Sequence, residues 1–264
     1  MTAARLRTLT AIAWAPLNLG LLYLGGWEWL LWVAILAIVA TSEMLTLAAK
    51  SGRPPLPWVG PLIVFVSLVG AWAMPGSGFF LLVGPLLMLS LLALLLCHGQ
   101  SNAFERWGVT TSAGLYAGFL VAYMVLLRDR ADGLWWMGAA LVCTWAFDSA
   151  AYLLGRRFGR RKLWPAVSPG KTWAGTLGGT LVAMAVSLAT VHFLKLSYPQ
   201  ALGLGLVVAV LAQLGDLVES VIKRQVGVKD TGTFLPGHGG ILDRIDGLLF
   251  STVGVFYFAT LVGR

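Results

Sequence analysis

The residues from Ser220 to Gly247, SVIKRQVGVKDTGTFLPGHGGILDRIDG, crowd basic, acidic and glycine residues between two strongly apolar segments. Ionisable groups beside hydrocarbon cost several kcal/mol unless paired or hydrated, so a chain that keeps them there is using them. Asp216, Glu219, Ser220 and Lys223 follow one another at helical spacing, which brings two carboxylates and a hydroxyl to one face. The same spacing also suits a polar helix end reaching into headgroups, and Lys223 and Arg224 alone suit interfacial anchors.

The second constellation is Pro236-Gly237-His238-Gly239-Gly240, followed by Asp243-Arg244-Ile245-Asp246. Gly237, Gly239 and Gly240 permit close backbone approach, so that amides can face phosphate oxygens, and the start of the next helix favours an anion. Asp243 and Asp246 lie one turn apart and can share a hard cation; near a phosphate that cation is magnesium. Capping by Asp243 and pairing of Asp246 with Arg244 or a lysine would explain either acid singly. They do not explain the adjoining basic, glycine-rich loop. His238 suits a base, a phosphate donor or a solvated loop residue, and these readings stay open. There is no His/Cys cluster of zinc type and no nucleophile elbow.

A third set runs D-S-x-A-Y-x-x-G-R from Asp148 through Tyr152 to Arg156, then Arg157, Arg160, Arg161 and Lys162, then Ser168-Pro169-Gly170-Lys171-Thr172. Asp148 and Tyr152 stack one turn apart. Ser168 and Thr172 offer hydroxyls at a helix entrance, and Lys171 supplies a mobile point charge suited to phosphate. Anchoring on the positive side of a membrane explains most of the arginines. It explains neither an aspartate inside an apolar span nor the placement of S-P-G-K-T.

The elements that must hold these residues are membrane helices. Hydrophobic residues make up 58% and charged residues 11% of the 264, with mean hydropathy +0.81. That composition excludes an ordinary soluble domain. Apolar runs long enough to span a bilayer fall at Thr8–Leu24, Trp27–Ala49, Trp58–Met74, Phe79–Cys97, Val109–Leu127, Leu134–Leu154, Trp173–Phe193, Ala201–Ile222 and Ile241–Val262. The fold class expected is an all-α polytopic integral membrane protein with about nine transmembrane helices. Pro61 and Pro85 fall inside the third and fourth spans, where membrane helices tolerate them.

With the N-terminus cytoplasmic, all of the 19 lysines and arginines except Arg128, Arg130, Lys195 and Arg264 lie on the cytoplasmic side. This is the distribution that orients membrane proteins. It places loops 156–172 and 223–240 together in the cytoplasm. The chain divides into an apolar scaffold, 1–127, and a catalytic half, 128–264, that carries Asp148, Asp216, Glu219, Asp230, Asp243 and Asp246.

The net charge of +8 describes a face suited to anionic lipids or polyphosphates. No aromatic-rich soluble module is present to read bases, so nucleic acid is not an expected partner. Cys97 and Cys143 both fall in predicted helices, which suits buried thiols rather than a disulfide. The first apolar run lacks a convincing cleavage site and is expected to remain as a helix. Intramembrane acids also suit an ion-coupled transporter, but no internal repeat is evident and the acids cluster at helix ends.

The run S-x-x-K-R, K-D-x-G, P-G-H-G-G and D-R-x-D between Ser220 and Asp246 resembles the signature of phosphatidate cytidylyltransferases. The D-S-x-A-Y-x-x-G-R and S-P-G-K-T-W segments are similar to the same family, especially its bacterial members. The resemblance covers about residues 140–250 and is only general before that. Ala174 departs from it, standing where Glu or Gln is expected.

The resemblance implies transfer of a cytidylyl group from CTP to phosphatidic acid, giving CDP-diacylglycerol and pyrophosphate at the cytoplasmic face of a bacterial inner membrane. It implies magnesium, with room for a second cation, on Asp216, Asp243 and Asp246. Lys171, Lys223, Arg224 and Lys229 would neutralise phosphates, and Ser168 and Ser220 would hydrogen-bond. Asp148, Tyr152, Arg244 and the 237–240 loop would face substrate. Asp230 would either orient Lys229 or contact the nucleotide. A homodimer is a further family expectation. A CTP-dependent lipid kinase is the nearest alternative, and a relative that binds lipid without turnover is a third.

Overall fold

The computed structural model describes residues 3–74, 76–96, 102–234 and 239–263. Cys97, Gly237 and His238, singled out in the sequence, lie outside the described residues. The helices are α1 (Ala3–Leu24), α2 (Gly26–Lys50), α3 (Val59–Ala73), α4 (Ser77–Phe80), α5 (Val83–Leu96), α6 (Ala103–Gly114), α7 (Leu120–Arg128), α8 (Gly133–Phe158), α9 (Trp173–Ser187), α10 (Val191–Leu194), α11 (Tyr198–Val226) and α12 (Leu242–Leu261). A π-helical turn, Leu115–Phe119, joins α6 to α7.

Among the described residues seven helices are long and apolar enough to cross a membrane, and two shorter apolar helices, Ala13–Leu24 and Val59–Ala73, accompany them. The chain is a polytopic all-α membrane protein. Pro61 and Pro85 both fall in the first turn of their helices, α3 and α5, where a missing N–H removes no intrahelical bond. The fourth span is interrupted, with α4 and α5 separated by a short turn.

The chain forms two compact units. One comprises Met1–Asp129 with Gln225–Asp243, and the other Arg130–Arg224 with Arg244–Arg264. In the first, Leu56, Val59, Ile63, Leu86 and Ala93 form a buried cluster. Gly118 on the π turn lets that segment approach Val64 on α3, since a Cβ there would stand 2.7 Å from the valine Cγ2. Such close packing replaces the hydrophobic drive that water would supply to a soluble bundle.

In the second unit α8 and α9 are the most extensively packed pair, and Phe147, Ala183, Ala209 and Ala212 form a core among α8, α9 and α11. The sequence did not suggest the short antiparallel hairpin that links α8 to α9. It consists of β1 (Lys162–Trp164) and β2 (Ser168–Thr172), with Lys162 opposite Thr172 and Trp164 opposite Ser168. Thr172 caps α9 by accepting a hydrogen bond from the Gly175 amide at 3.1 Å. Gly155 and Gly175 bring the end of α8 against the start of α9, where a Cβ on Gly175 would stand 3.1 Å from the Gly155 Cα.

Candidate active site

Three carboxylates of the second unit meet at one place. Asp216 and Glu219 on α11 and Asp246 on α12 each offer an oxygen, and these oxygens lie within 4.8 Å of one another. The backbone makes this possible. A Cβ on Gly215 would collide with the Asp246 carbonyl oxygen, and one on Gly247 would stand 3.2 Å from the Ala212 oxygen. The helices therefore touch main chain to main chain immediately beside two of the three acids.

Each acid has local support. Ser220 Oγ donates to Asp216 Oδ1 at 3.3 Å, one turn along α11. The Gly247 amide donates to Asp246 Oδ1 at 2.7 Å. Glu219 is 1% exposed, and Lys223 donates to its Oε2 at 2.6 Å. Lys171, at the end of β2, reaches across to Asp216 Oδ2 at 2.5 Å. Asp148 on α8 feels the charges of Asp216, Lys171 and Arg244, and Asp246 feels those of Glu219, Asp216 and Asp148.

This arrangement gathers most of the sequence-selected residues of the second unit: Asp148, Lys171, Asp216, Ser220, Lys223, Arg244 and Asp246. Arg224 is exposed one residue beyond Lys223. Tyr152 is exposed on α8 and Ser168 is half-buried in β2; among the described residues no hydrogen bond joins either to the acids.

Lys229, Asp230, Gly239, Gly240 and Asp243 belong to the first unit. Lys229 and Asp230 are exposed and Gly240 is buried. Gly239 has φ +85, a conformation that favours glycine. Asp243 Oδ2 accepts from the Gly240 amide at 2.8 Å, and from the Thr231 amide and hydroxyl at 2.9 Å each.

Glu219 is the acid that the sequence left out of its metal set, although it stood on the selected face of α11. Spacing along one helix gives a shared face but not which face of α12 meets it. Three hard, anionic oxygen donors suit a hard divalent cation, whose shell water and substrate oxygens would complete. Lysines on two of the three acids show the same demand for positive charge.

The description "Cytidylyltransferase family" belongs to the family model that matches residues 5–262. The chain is 34% identical over 260 residues to the phosphatidate cytidylyltransferase of Staphylococcus aureus (strain COL), across 93% of this chain and 95% of that one. Against the phosphatidate cytidylyltransferase of Bacillus subtilis (strain 168) it is 41% identical over 161 residues, 60% of each chain. With acids and lysines gathered where the signature residues meet, and a match over nearly its whole length, the chain belongs to the cytidylyltransferase family.

Proposed function

We infer that this protein transfers the cytidylyl group of CTP to phosphatidic acid, releasing pyrophosphate and forming CDP-diacylglycerol for phospholipid synthesis. The carrying observation is the group formed by Asp216, Glu219 and Asp246, with Lys171 and Lys223 already seated on two of them. Acids that can hold a cation, next to lysines that can turn to phosphate, are what a reaction between two polyanions requires.

The nucleophile comes with the lipid. A phosphate monoester is largely a dianion at neutral pH, so one of its oxygens can attack the α-phosphorus of CTP without a protein base. A P–O bond forms there, and the bond to the bridging oxygen of the β-phosphate breaks as pyrophosphate leaves. The remaining barrier is repulsion between the reactants and charge growing on the leaving group.

Asp216, Glu219 and Asp246 would hold the magnesium ion, whose positive charge would offset the negative charge of the phosphate oxygens. Lys171 and Lys223 give charge at movable ammonium groups, Ser220 keeps Asp216 oriented, and Arg244 adds a cation beside Asp148. Asp243, with three donors on one oxygen, holds Thr231 and Gly240 at the start of α12.

The bias of lysine and arginine supports a cytoplasmic N-terminus and a site open to cytoplasmic CTP. The bacterial relatives support a bacterial cytoplasmic membrane. The test is pyrophosphate release by purified protein with CTP, magnesium and phosphatidic acid in mixed micelles. Release that needs all three supports the reading. CDP in place of pyrophosphate would mean phosphoryl transfer to an alcohol, and neither product from folded protein would refute the assignment.

A further inference from the structure

A carboxylate far away in sequence holds the segment that leads into α12. Glu43 lies within α2, is 7% exposed, and faces Thr231, Gly232 and residues 240–242 in the same unit. Its Oε1 accepts from the Ile241 amide at 3.0 Å and its Oε2 from the Leu242 amide at 2.9 Å. These are the N–H groups at the start of α12, which the helix itself leaves without acceptors. A negative charge is also favoured at that end. Glu43 thus caps a helix that belongs to another part of the chain.

The glycines around it fit this role. A Cβ on Gly240 would stand 2.5 Å from Glu43 Oε2, and one on Gly232 would stand 2.8 Å from Glu43 Cδ. Only residues without side chains admit the carboxylate at both places. The buried Thr231 hydroxyl then joins two acids, lying 2.9 Å from Asp243 Oδ2 and 3.2 Å from Glu43 Oε2. One hydroxyl proton serves both, so the positions of Glu43, Thr231 and Asp243 depend on one another.

We propose that Glu43 is a positioning residue for the transfer reaction: by capping α12 and bracing Thr231 it fixes Asp243 and the turn that carries Arg244 and Asp246. This rests on the cytidylyl-transfer reading. A structural acid could be replaced by any well-packed residue. A positioning acid must keep charge and reach, because it sets how well the α12 acids are presented to a cation.

The test has two readouts. In wild-type protein in detergent, hydrogen exchange at the Ile241 and Leu242 amides should be slowed about 10–100-fold relative to free chain, and Glu43→Gln should remove most of that protection. The magnesium concentration for half-maximal pyrophosphate release should rise about 10–100-fold in Glu43→Gln. Glu43→Asp, which keeps the charge, should fall between the two. Leu47→Ala, one turn along the buried face of α2, should lower thermal stability and move neither readout.

Unprotected Ile241 and Leu242 amides in the wild type, or an unshifted magnesium curve in folded Glu43→Gln, would overturn the role of Glu43. If Glu43→Gln does not fold, wild-type exchange and Glu43→Asp decide it. A wild-type protein that releases no pyrophosphate overturns the functional reading instead, and leaves the exchange result to stand or fall separately.

Discussion

Lys171 Nζ stands 2.5 Å from Asp216 Oδ2, joining the end of a two-stranded hairpin to a membrane helix. Both side chains are partly shielded, at 18% and 36% exposure. The lysine backbone is held on both sides, by pairing of Ser168 with Trp164 before it and of Thr172 with Lys162 after it. With a cation bound at the carboxylate, the ammonium would be free to meet a phosphate without moving its backbone. Replacing Lys171 by Met should therefore cut kcat about 10²–10³-fold. Arg157→Met, at an exposed position in the last turn of α8, should cost far less. Steady-state rates of the two variants decide this, and equal losses would mean a generic role for both charges.

Asp246→Asn removes a charge and almost no volume. It should reduce turnover at least about 100-fold while the protein purifies as a folded, monodisperse species. Activity near wild type in detergent would remove Asp246 from the cation site.

Glu219→Gln tests the acid that only the structure places in the group. Its carboxylate faces Asp216 and Asp246 within 4.8 Å, so the amide should raise the half-saturating magnesium concentration about 10–100-fold. A curve that overlays wild type would make Glu219 a partner for Lys223 and nothing more.

Gly215→Ala would push a methyl group against the Asp246 carbonyl oxygen. Overpacking of this kind costs about 1–3 kcal/mol, and here the strain falls on the backbone that presents the acids. The expected outcome is a lower melting temperature together with a loss of activity. Unchanged values of both would mean that the helices can separate at no cost.

Removal of divalent cations by a chelator should abolish turnover, and added magnesium should restore it. Magnesium at about 100 times its dissociation constant should stabilise the fold by about 2.7 kcal/mol, seen as a raised melting temperature. Asp246→Asn should lose that increment. A wild-type protein whose melting temperature ignores magnesium would argue against a site formed by these acids.

The spans were legible because hydrocarbon imposes long apolar runs, and Pro61 and Pro85 misled little because each enters in a first turn. The hairpin was not legible. Its strands are three and five residues long, their register is irregular, and the second carries Pro169 and Gly170, so no alternation marks them. Lys171, Asp216 and Asp246 could be found because helix ends in an apolar chain expose chemistry plainly. Glu43 could not: its partner Thr231 is 188 residues away, and a lone acid in an apolar helix does not name its contacts.

The backbone contact of Gly215 with Asp246 also bears on how the protein tolerates different bilayers. Helices adapt to a thinner or thicker membrane by tilting. Where two helices are separated only by main-chain atoms, they can pivot at the contact but cannot come closer or slide there without a clash, and drawing apart would forfeit the close packing. The closest spacing of Asp216 and Asp246 is then set by atomic radii near one end of α12, and any widening of it costs main-chain packing, which buffers the acids against changes in membrane thickness and in the length of the acyl chains around them.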